Sequence, residues 1–376
     1  MKTTSAKPDG VITMPNGLSV HHLNVHETLA IYQKIFEEEV YMQEGVMLED
    51  GCCVLDIGAN IGLFTLYLYD RFPHARVYAA EPVPPIFERL KTNIELYDLR
   101  SATLWPFAVS NENGEAEICF YPNMAGNSGL YADPEVETAV TKIFLENMAP
   151  NETGFQEQAL VGKFKTMVFG CQRRTLSELI VQANIDHIDL LKIDVEKSEW
   201  DVLDGIDPQH WAIIDQIVVE VHAIENRVQR IIEMLNDHRL RPKVTQRASL
   251  VNTGIFQIYG IREDVVGLNN RRPAAGTHLR RIQVDQNIPE DSGSSNLRTA
   301  HSATEMVIME IWSDLLNTPV TDVDAEFFEL GGRSLLAIVL MRKIYQQYSV
   351  ELPLTTIYEY RTVKEFGAYV DRLFFR

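Results

Sequence analysis

The 376-residue sequence predicts an α/β fold in which helices cover both faces of a mostly parallel sheet, followed by a small helical domain. Three observations support this prediction. Apolar strand patterns alternate with helical patterns from about residue 52 to 238, a tight glycine turn follows the first strand pattern, and a separate helical pattern begins near residue 303. The length also favours two domains, because a chain of this size can bury two hydrophobic cores.

The first elements precede the alternating region. Val11–Leu23 has the pattern of two short strands around Pro15-Asn16-Gly17. A helical stretch follows from about His26 to Tyr41.

Five strand patterns with helical patterns between them predict the sheet. The strands are Cys52–Ile57, Arg76–Ala80, Thr103–Val109, Ile188–Asp194 and Gln216–His222. The helices lie near 62–71, 84–98, 175–183, 197–204 and 225–238. Such alternation is typical of parallel strands that are buried on both faces. One more strand is predicted at Gly254–Ile261.

Two segments interrupt this regular pattern. The excursion at about 120–172 is too long for a plain connection, and long insertions are often lids or binding loops. From 262 to 301 the chain loses periodicity and is rich in Asn, Arg, Pro, Gly and Ser, which is typical of a linker. We therefore predict a first domain at 1–265, a flexible linker at 266–302 and a second domain at 303–376.

Composition narrows the class of protein. A formal net charge of −19 argues against binding to nucleic acid, which requires a basic face. The four cysteines lack Cys-x-x-Cys spacing, so reduced thiols are favoured over disulfides or zinc. The sequence has no signal peptide pattern and no apolar run of about 18 residues. These features predict a cytoplasmic protein that does not bind membranes.

The first strand pattern leads directly into a candidate ligand site. Gly58 would let the backbone approach a ligand, and Gly62 would let the next helix pack close to the strand. Glu81 ends the next strand, 25 residues beyond Asp56, where a carboxylate could accept both hydrogen bonds of a ribose diol. Asp56 could alternatively only anchor the turn. The pattern indicates a ligand that contains adenosine.

In these motifs the chain resembles class I S-adenosylmethionine-dependent methyltransferases with a Rossmann-like sheet, and more narrowly the FkbM-type O-methyltransferases. The resemblance covers about 10–262 and rests on Pro15-Asn16-Gly17-Leu18, Asp56–Thr65, Glu81-Pro82, Leu191–Glu196 and Val219–His222. It implies that S-adenosylmethionine is a cofactor and that the last strand, at Gly254–Ile261, pairs antiparallel. It also implies a cofactor pocket that contains Asp56, Gly58, Asn60, Gly62, Glu81, Tyr41 and Ser128.

Methyl transfer to an alcohol requires a general base that titrates near neutrality. His222 lies at the predicted carboxyl end of its strand, the edge at which open α/β sheets bind ligands, and we predict that it is the base. Asp194 and Glu196 are predicted catalytic residues that orient the imidazole or hold the acceptor. Glu220 should point to the same side as His222. Asp194, Glu196 and Glu220 could instead bind Mg²⁺, but the Asp-Asn pair of metal-dependent catechol-type enzymes is missing, so we predict no metal.

The stretch Phe327–Leu336 contains a Gly-Gly turn, Ser334 and the start of an apolar helical run. It resembles the four-helix peptidyl carrier proteins of nonribosomal peptide synthetases over roughly 303–376. Supporting motifs are Ile311-Trp312, Val323-Asp324, Val350–Pro353 and Thr362-Val363. The resemblance implies that Ser334 carries 4′-phosphopantetheine. Arg333 departs from the His or Asp that is more common in the family, which leaves the docking partners open.

Together the two resemblances imply O-methylation of a hydroxyl or enol oxygen on an intermediate bound as a thioester, in nonribosomal peptide or hybrid polyketide biosynthesis. The expected partners are the carrier-bound acyl or peptidyl substrate, other synthetase modules and a phosphopantetheinyl transferase. Three alternatives stay open from the sequence. The enzyme could methylate nitrogen or carbon, the first domain could be an inactive docking module for the carrier, or it could be an NAD-dependent dehydrogenase.

Overall fold

A computed structural model describes residues 10–148, 160–263, 279, 302–316, 318–332, 334–348, 352 and 356–374. The chain divides into two units, 1–282 and 283–376. Apart from Leu279 and Ser302, the predicted linker 266–302 lies outside the described residues.

The N-terminal segment forms a hairpin and a broken helix. Strands β1 (Val11–Thr13) and β2 (Ser19–His21) pair antiparallel, as predicted. Helix α1 (Val25–Tyr32) continues into a π-helical turn at Gln33–Glu37, and a short 3₁₀ turn follows at Val40–Met42. The prediction of one helix up to Tyr41 is therefore wrong. Glu39 interrupts it, because its φ of 47° lies in the left-handed region.

A seven-stranded sheet forms the centre of the first unit. Its strands are β3 (Cys53–Ile57), β4 (Arg76–Ala80), β5 (Ala102–Trp105), β9 (Leu190–Ile193), β10 (Gln216–His222), β11 (Leu240–Thr245) and β12 (Ile255–Arg262). Their order across the sheet is β11-β12-β10-β9-β3-β4-β5. Five neighbouring strands are parallel, namely β10, β9, β3, β4 and β5. Strand β12 pairs antiparallel with β10. This confirms the predicted α/β class and the antiparallel last strand. Strand β11 was not predicted.

A second sheet contains three strands in the order β6-β8-β7. They are β6 (Phe107–Ser110), β7 (Gly114–Phe120) and β8 (Met167–Thr175). The predicted single strand Thr103–Val109 is therefore wrong, because it splits between the two sheets at Pro106. Proline has no N–H to donate to a ladder, so a strand tends to end there. The predicted excursion is thus partly a sheet, and it also contains α4 (Pro134–Met148).

Helices cover both faces of the central sheet, as predicted. They are α2 (Leu63–Arg71), α3 (Pro84–Leu96), α5 (Leu176–Gln182), α6 (Glu199–Asp204) and α7 (Arg227–Asp237). Strands β3, β9 and β10 are buried along their whole length. Apolar side chains of α5, α6 and α7 share one core with these strands, and this core holds the carboxyl ends of the strands in place.

The second unit contains four helices among its described residues, which confirms the predicted helical carrier fold. They are α8 (Ala303–Leu316), α9 (Ser334–Tyr348), α10 (Thr356–Glu359) and α11 (Val363–Phe374). Its core contains Trp312, whose ring lies 4.9 Å from that of Phe327 and 6.5 Å from that of Phe366. Within the described ranges, each helix is too short or too polar to span a membrane.

Candidate active site

The candidate site lies at the carboxyl ends of β3, β4 and β9, the edge at which parallel sheets bind ligands. A cavity of about 50 Å³ lies between the turn after β3, the end of β4, the loop after β9 and the segment 125–130 of the excursion. Its polar lining consists of Asn60, Glu81, Ser128, Asp194, Glu196 and Ser198, and Gly58 also lines it. Four of the predicted cofactor residues therefore share this cavity with two of the predicted catalytic residues.

Close contact with the loop after β9 requires a glycine at position 58. Gly58 has a φ of 78°, and a Cβ atom on it would lie 1.8 Å from the carbonyl oxygen of Asp194. The two loops can approach this closely only if residue 58 has no side chain. Gly62 has a different neighbour, because a Cβ atom there would lie 2.7 Å from Leu90 of α3. Its packing partner is thus a helix and not the strand that the sequence suggested.

Glu81 follows the last residue of β4, and both of its carboxylate oxygens are held by backbone N–H groups. Its Oε1 accepts a hydrogen bond from the Val83 N–H at 2.9 Å, and its Oε2 accepts one from the Asn60 N–H at 3.1 Å. A carboxylate has about four lone-pair sites, so both oxygens keep capacity for a ligand. Burial raises the pKa of Glu81 to about 7.

Three predicted cofactor residues lie behind the cavity, and the described cavity lining does not include them. Asp56 is fully buried, accepts a hydrogen bond from the Thr65 hydroxyl at 3.0 Å and lies 2.9 Å from Lys192 Nζ. This geometry matches the alternative in which Asp56 anchors the turn. Tyr41 donates a hydrogen bond to Asp194 Oδ2 at 2.5 Å. Gly62, as noted, packs against a helix.

Lys34 forms the centre of a largely buried ionic network that the sequence did not reveal. Its Nζ lies 2.9 Å from Asp194 Oδ2 and 2.7 Å from Glu220 Oε2. Burial opposes the ammonium charge, but these two carboxylates raise the pKa of Lys34 well above its ordinary value. In turn, although burial opposes the carboxylate, Lys34 and Lys192 hold the pKa of Asp194 well below its ordinary range. The only signal in the sequence is a lone cation within the apolar stretch Ile31–Phe36.

Lys34 also bears on the metal alternative. Oxygen atoms of Asp194, Glu196 and Glu220 lie within 4.8 Å of one another, a spacing that suits a divalent cation. The Lys34 ammonium already contacts two of these three carboxylates. The cluster therefore contains a positive charge supplied by the chain itself.

His222 lies in a buried chain of polar groups. Its Nδ1 is 2.7 Å from Glu199 Oε1, and its Nε2 is 3.3 Å from Glu196 Oε2. Arg227 donates to the other Glu199 oxygen at 2.5 Å. Burial opposes the charged imidazolium, but the bonds to Glu196 and Glu199 raise the pKa of His222 well above its ordinary value. Glu196 thus contacts the imidazole as expected, whereas the Asp194 side chain contacts Lys34 and Tyr41.

Glu199 was missed in the sequence, although it begins α6 directly after the loop that holds Glu196. Among the described residues that line the cavity, Glu196 is present and His222 is not. Burial raises the pKa of Glu196 to about 7, which is close to neutrality. Of the three carboxylates that line the cavity, Glu196 is the one that contacts His222, which makes it the candidate general base.

The loop after β9 holds Glu196 in an uncommon backbone conformation. Glu196 and Lys197 have φ values of 48° and 73°, both in the left-handed region. A Cβ atom on Gly129 would lie 2.9 Å from the Glu196 carbonyl oxygen, so the excursion packs directly on this loop. The buried Lys197 side chain forms an ion pair with Glu137 of α4. Backbone strain of this kind persists where the surrounding structure imposes it, often at functional sites.

In the second unit, Ser334 is the first residue of α9 and follows the Gly331-Gly332 turn. Its side chain lies outside the described part of the structure. A Cβ atom on Gly332 would lie 2.4 Å from Phe327, which places the turn directly on the core. The backbone thus presents residue 334 at a helix start beside a packed turn.

Two protein-family models match the chain, one in each unit. The family model described as "Methyltransferase FkbM domain" matches residues 56–242, and that described as "Phosphopantetheine attachment site" matches residues 307–370. The AMB antimetabolite synthetase AmbE of Pseudomonas aeruginosa is 29% identical over 414 residues, a match that covers 94% of this chain and 19% of the synthetase. The chain therefore spans about a fifth of the length of that relative.

Two further relatives are named as methyltransferases. The 31-O-demethyl-FK506 methyltransferase FkbM of Streptomyces tacrolimicus is 33% identical, and the match covers 66% of this chain and 95% of that protein. Methyltransferase 1 of Beauveria bassiana is 31% identical, and the match covers 51% of this chain and 72% of that protein. The chain belongs to the FkbM methyltransferase family, joins its methyltransferase domain to a phosphopantetheine attachment domain, and has S-adenosylmethionine and 4′-phosphopantetheine as cofactors.

Proposed function

We propose that the chain transfers a methyl group to a hydroxyl or enol oxygen of an acyl or peptidyl intermediate that is bound as a thioester to phosphopantetheine on Ser334. The observation that carries this proposal is the position of Glu196, a carboxylate that lines the cavity 3.3 Å from His222 Nε2 and whose pKa is raised by burial. A hydroxyl group has to lose its proton as it attacks, so oxygen acceptors require such a base. The name of the Streptomyces relative refers to a 31-O-demethyl compound, which supports an oxygen acceptor.

The residues that would hold the cofactor fit its chemistry. Glu81 offers two oriented carboxylate oxygens for the ribose diol, and Gly58 and Asn60 lie beside it in the cavity wall. Binding sites for small molecules usually measure about 300–1,000 Å³. Because the cavity measures about 50 Å³, it has to widen when the cofactor binds.

When bound, S-adenosylmethionine would supply an electrophilic methyl carbon for the new oxygen–carbon bond, and its sulfur would keep the electrons of the broken sulfur–carbon bond. Glu196 accepts the proton of the acceptor hydroxyl. His222, held by Glu199, keeps the Glu196 carboxylate in position. This assignment moves the base from His222, the sequence prediction, to Glu196, because Glu196 lines the cavity. Lys34 fixes Asp194 at the same edge of the sheet.

Attachment of the acceptor to the same chain would raise its effective concentration. Attachment of two groups to one chain can give effective concentrations up to the millimolar range, so the methyltransferase domain would need little affinity of its own for the acceptor. Together with the resemblance to a synthetase, this supports a role in nonribosomal peptide or hybrid polyketide biosynthesis, with other synthetase modules and a phosphopantetheinyl transferase as partners.

The test identifies the methylated atom. The pantetheinylated chain is loaded with hydroxyacyl, aminoacyl and 3-oxoacyl groups in separate reactions and incubated with S-adenosylmethionine that carries a deuterated methyl group. Tandem mass spectra of the released acids should show the label in a methoxy fragment. Label on nitrogen or carbon only would replace the proposal with the corresponding N- or C-methyltransferase. A chain that binds S-adenosylmethionine but labels no acyl group would support the inactive docking module.

A further inference from the structure

Ser198 occupies a helix start without acting as a helix cap. It immediately precedes α6, a position at which a serine hydroxyl usually accepts a hydrogen bond from a backbone N–H of the first turn. In this structure the side chain makes no such bond. The Ser198 hydroxyl is therefore not needed to begin the helix.

The Ser198 hydroxyl is buried and has no hydrogen-bond partner among the described residues. The residue is 3% exposed, and its Oγ atom finds neither a donor nor an acceptor. A buried hydroxyl without a partner lowers the stability of the folded chain. Ser177 shows the usual arrangement, since it is 4% exposed and its hydroxyl accepts from the Asp207 N–H at 2.7 Å and contacts His210 Nδ1 at 2.8 Å.

The position of Ser198 indicates which ligand it would meet. It lines the cavity, and it lies two residues after Glu196 in the loop that follows β9. Strand β3 separates β9 from β4, whose end carries Glu81. The ends of β9 and β4 are two strand spacings apart, about 10 Å, and Ser198 shares the loop after β9 with Glu196, so we assign it to the acceptor and not to the ribose.

We propose that Ser198 binds the acceptor and selects a substrate whose hydroxyl group has a carbonyl oxygen close by, as in a hydroxyacyl thioester. This rests on the proposed function, because it takes Glu196 as the group that receives the proton. A hydrogen bond from Ser198 to the attacking oxygen would compete with the attack. The Ser198 hydroxyl therefore donates to the neighbouring carbonyl oxygen, while the hydroxyl that is methylated faces Glu196.

The test measures binding, which separates it from turnover. The full-length chain is saturated with S-adenosylhomocysteine and titrated by calorimetry with two probes, the N-acetylcysteamine thioester of 3-hydroxybutyrate and the thioether analogue that lacks the carbonyl oxygen. The wild type should bind the thioester about tenfold more tightly than the thioether, and Ser198→Ala should abolish this preference. Affinity for S-adenosylhomocysteine should not change.

Thermal melts of the cofactor-free chain add a second readout. Ser198→Ala should melt at the same temperature as the wild type or higher, because it removes a hydroxyl that makes no bond, whereas the matched variant Ser177→Ala should melt lower. The proposal is wrong if the wild type binds both probes equally, if Ser198→Ala keeps the preference, or if it weakens S-adenosylhomocysteine binding. Failure of methyl transfer with an intact binding preference would count against the proposed function alone.

Discussion

At the scale of single residues, the candidate site separates groups that face the cavity from groups that hold them. Glu81 and Glu196 line the cavity, and each is fixed by neighbours, Glu81 by two backbone N–H groups and Glu196 by His222. Asp56 and Tyr41 bond to other protein groups behind the cavity. This separation decides which substitutions should affect chemistry and which should affect stability.

The raised pKa of Glu196 predicts how the rate depends on pH. A carboxylate accepts a proton only when it is ionised, so the rate should be low below about pH 6 and rise through about pH 7, the pKa of Glu196. The hydrogen bond from His222 lowers the pKa of Glu196, so His222→Ala should shift the midpoint to higher pH. Initial rates on a loaded carrier, measured where the chain stays folded, check both statements.

Glu196→Gln provides the matching variant. It should reduce the rate by about 10²–10⁴, the usual contribution of a general base, and leave cofactor affinity unchanged. The exposed Glu225, just beyond β10, serves as the control, and Glu225→Gln should keep the wild-type rate and profile. A wild-type profile that is flat between pH 6 and 8, or a Glu196→Gln variant of normal rate, would rule out Glu196 as the base.

Lys34 predicts that the enzyme works without a divalent metal. EDTA should not change the wild-type rate, because the ammonium group already balances Asp194 and Glu220. Lys34→Met should destabilise the fold by about 3–5 kcal/mol, the usual effect of removing one partner from a buried ion pair. The exposed Lys91→Met should stay within about 0.5 kcal/mol of the wild type. Chemical denaturation measures both. Loss of activity in EDTA with recovery in Mg²⁺ would contradict this account.

Sequence reasoning found some of these residues and missed others for a physical reason. Glu81 and His222 lie at strand ends, a position that a sequence pattern locates directly. Lys34 contacts Asp194 from 160 positions away, and only the fold brings them together. Ser198 is distinguished by a buried hydroxyl that makes no hydrogen bond to the described residues. No periodic pattern encodes either feature.

At the scale of elements, the loops after β3 and β9 pack directly on each other at Gly58 and Asp194. Gly58→Ala should disrupt this contact, because the new Cβ atom would lie 1.8 Å from the Asp194 carbonyl oxygen. We expect a loss of more than about 3 kcal/mol, above the usual range for backbone strain alone. Gly254 is a matched control, since its φ of 76° equals that of Gly58 within 2° but nothing lies within 4 Å of the added Cβ.

Chemical denaturation of both variants measures the effect of the collision apart from that of the backbone. Gly254→Ala should lose about 1–2 kcal/mol, the cost of left-handed backbone for a residue with a Cβ atom. If both variants lost the same free energy of unfolding, the loops would be able to move apart, and the close contact between Gly58 and Asp194 would not contribute to stability.

The elements that the sequence predicted well are those whose burial is uniform. β3 and β10 are buried along their whole length, so most of their residues are apolar. β11 lies at the sheet edge and contains Pro242 and several polar residues. In β7 the side chains alternate between more and less exposed positions, because one face of the strand is exposed. Such strands give weaker signals, and their pairing depends on partners that are distant in sequence.

At the scale of the whole molecule, the account requires Ser334 to carry the pantetheine arm. Ser334→Ala should abolish pantetheinylation, as measured by intact-protein mass spectrometry, and change stability by at most about 1 kcal/mol. Ser302 is the matched control, because its hydroxyl accepts a hydrogen bond from the Glu305 N–H at 3.0 Å at the start of α8. Ser302→Ala should lose about 1 kcal/mol and remain fully pantetheinylated. Pantetheine on another residue of the Ser334→Ala protein would refute the assignment.

The most direct measurement of the central claim is mass spectrometry of the pantetheine arm after one turnover. The pantetheinylated chain is loaded with a hydroxyacyl group, incubated with S-adenosylmethionine, and fragmented so that the arm and its acyl group are released together. The account predicts that the released arm is heavier by one CH₂ unit in the wild type and unchanged in Glu196→Gln. An arm of unchanged mass in a wild-type chain that binds S-adenosylmethionine, with methyl transfer only to the free acid, would contradict it.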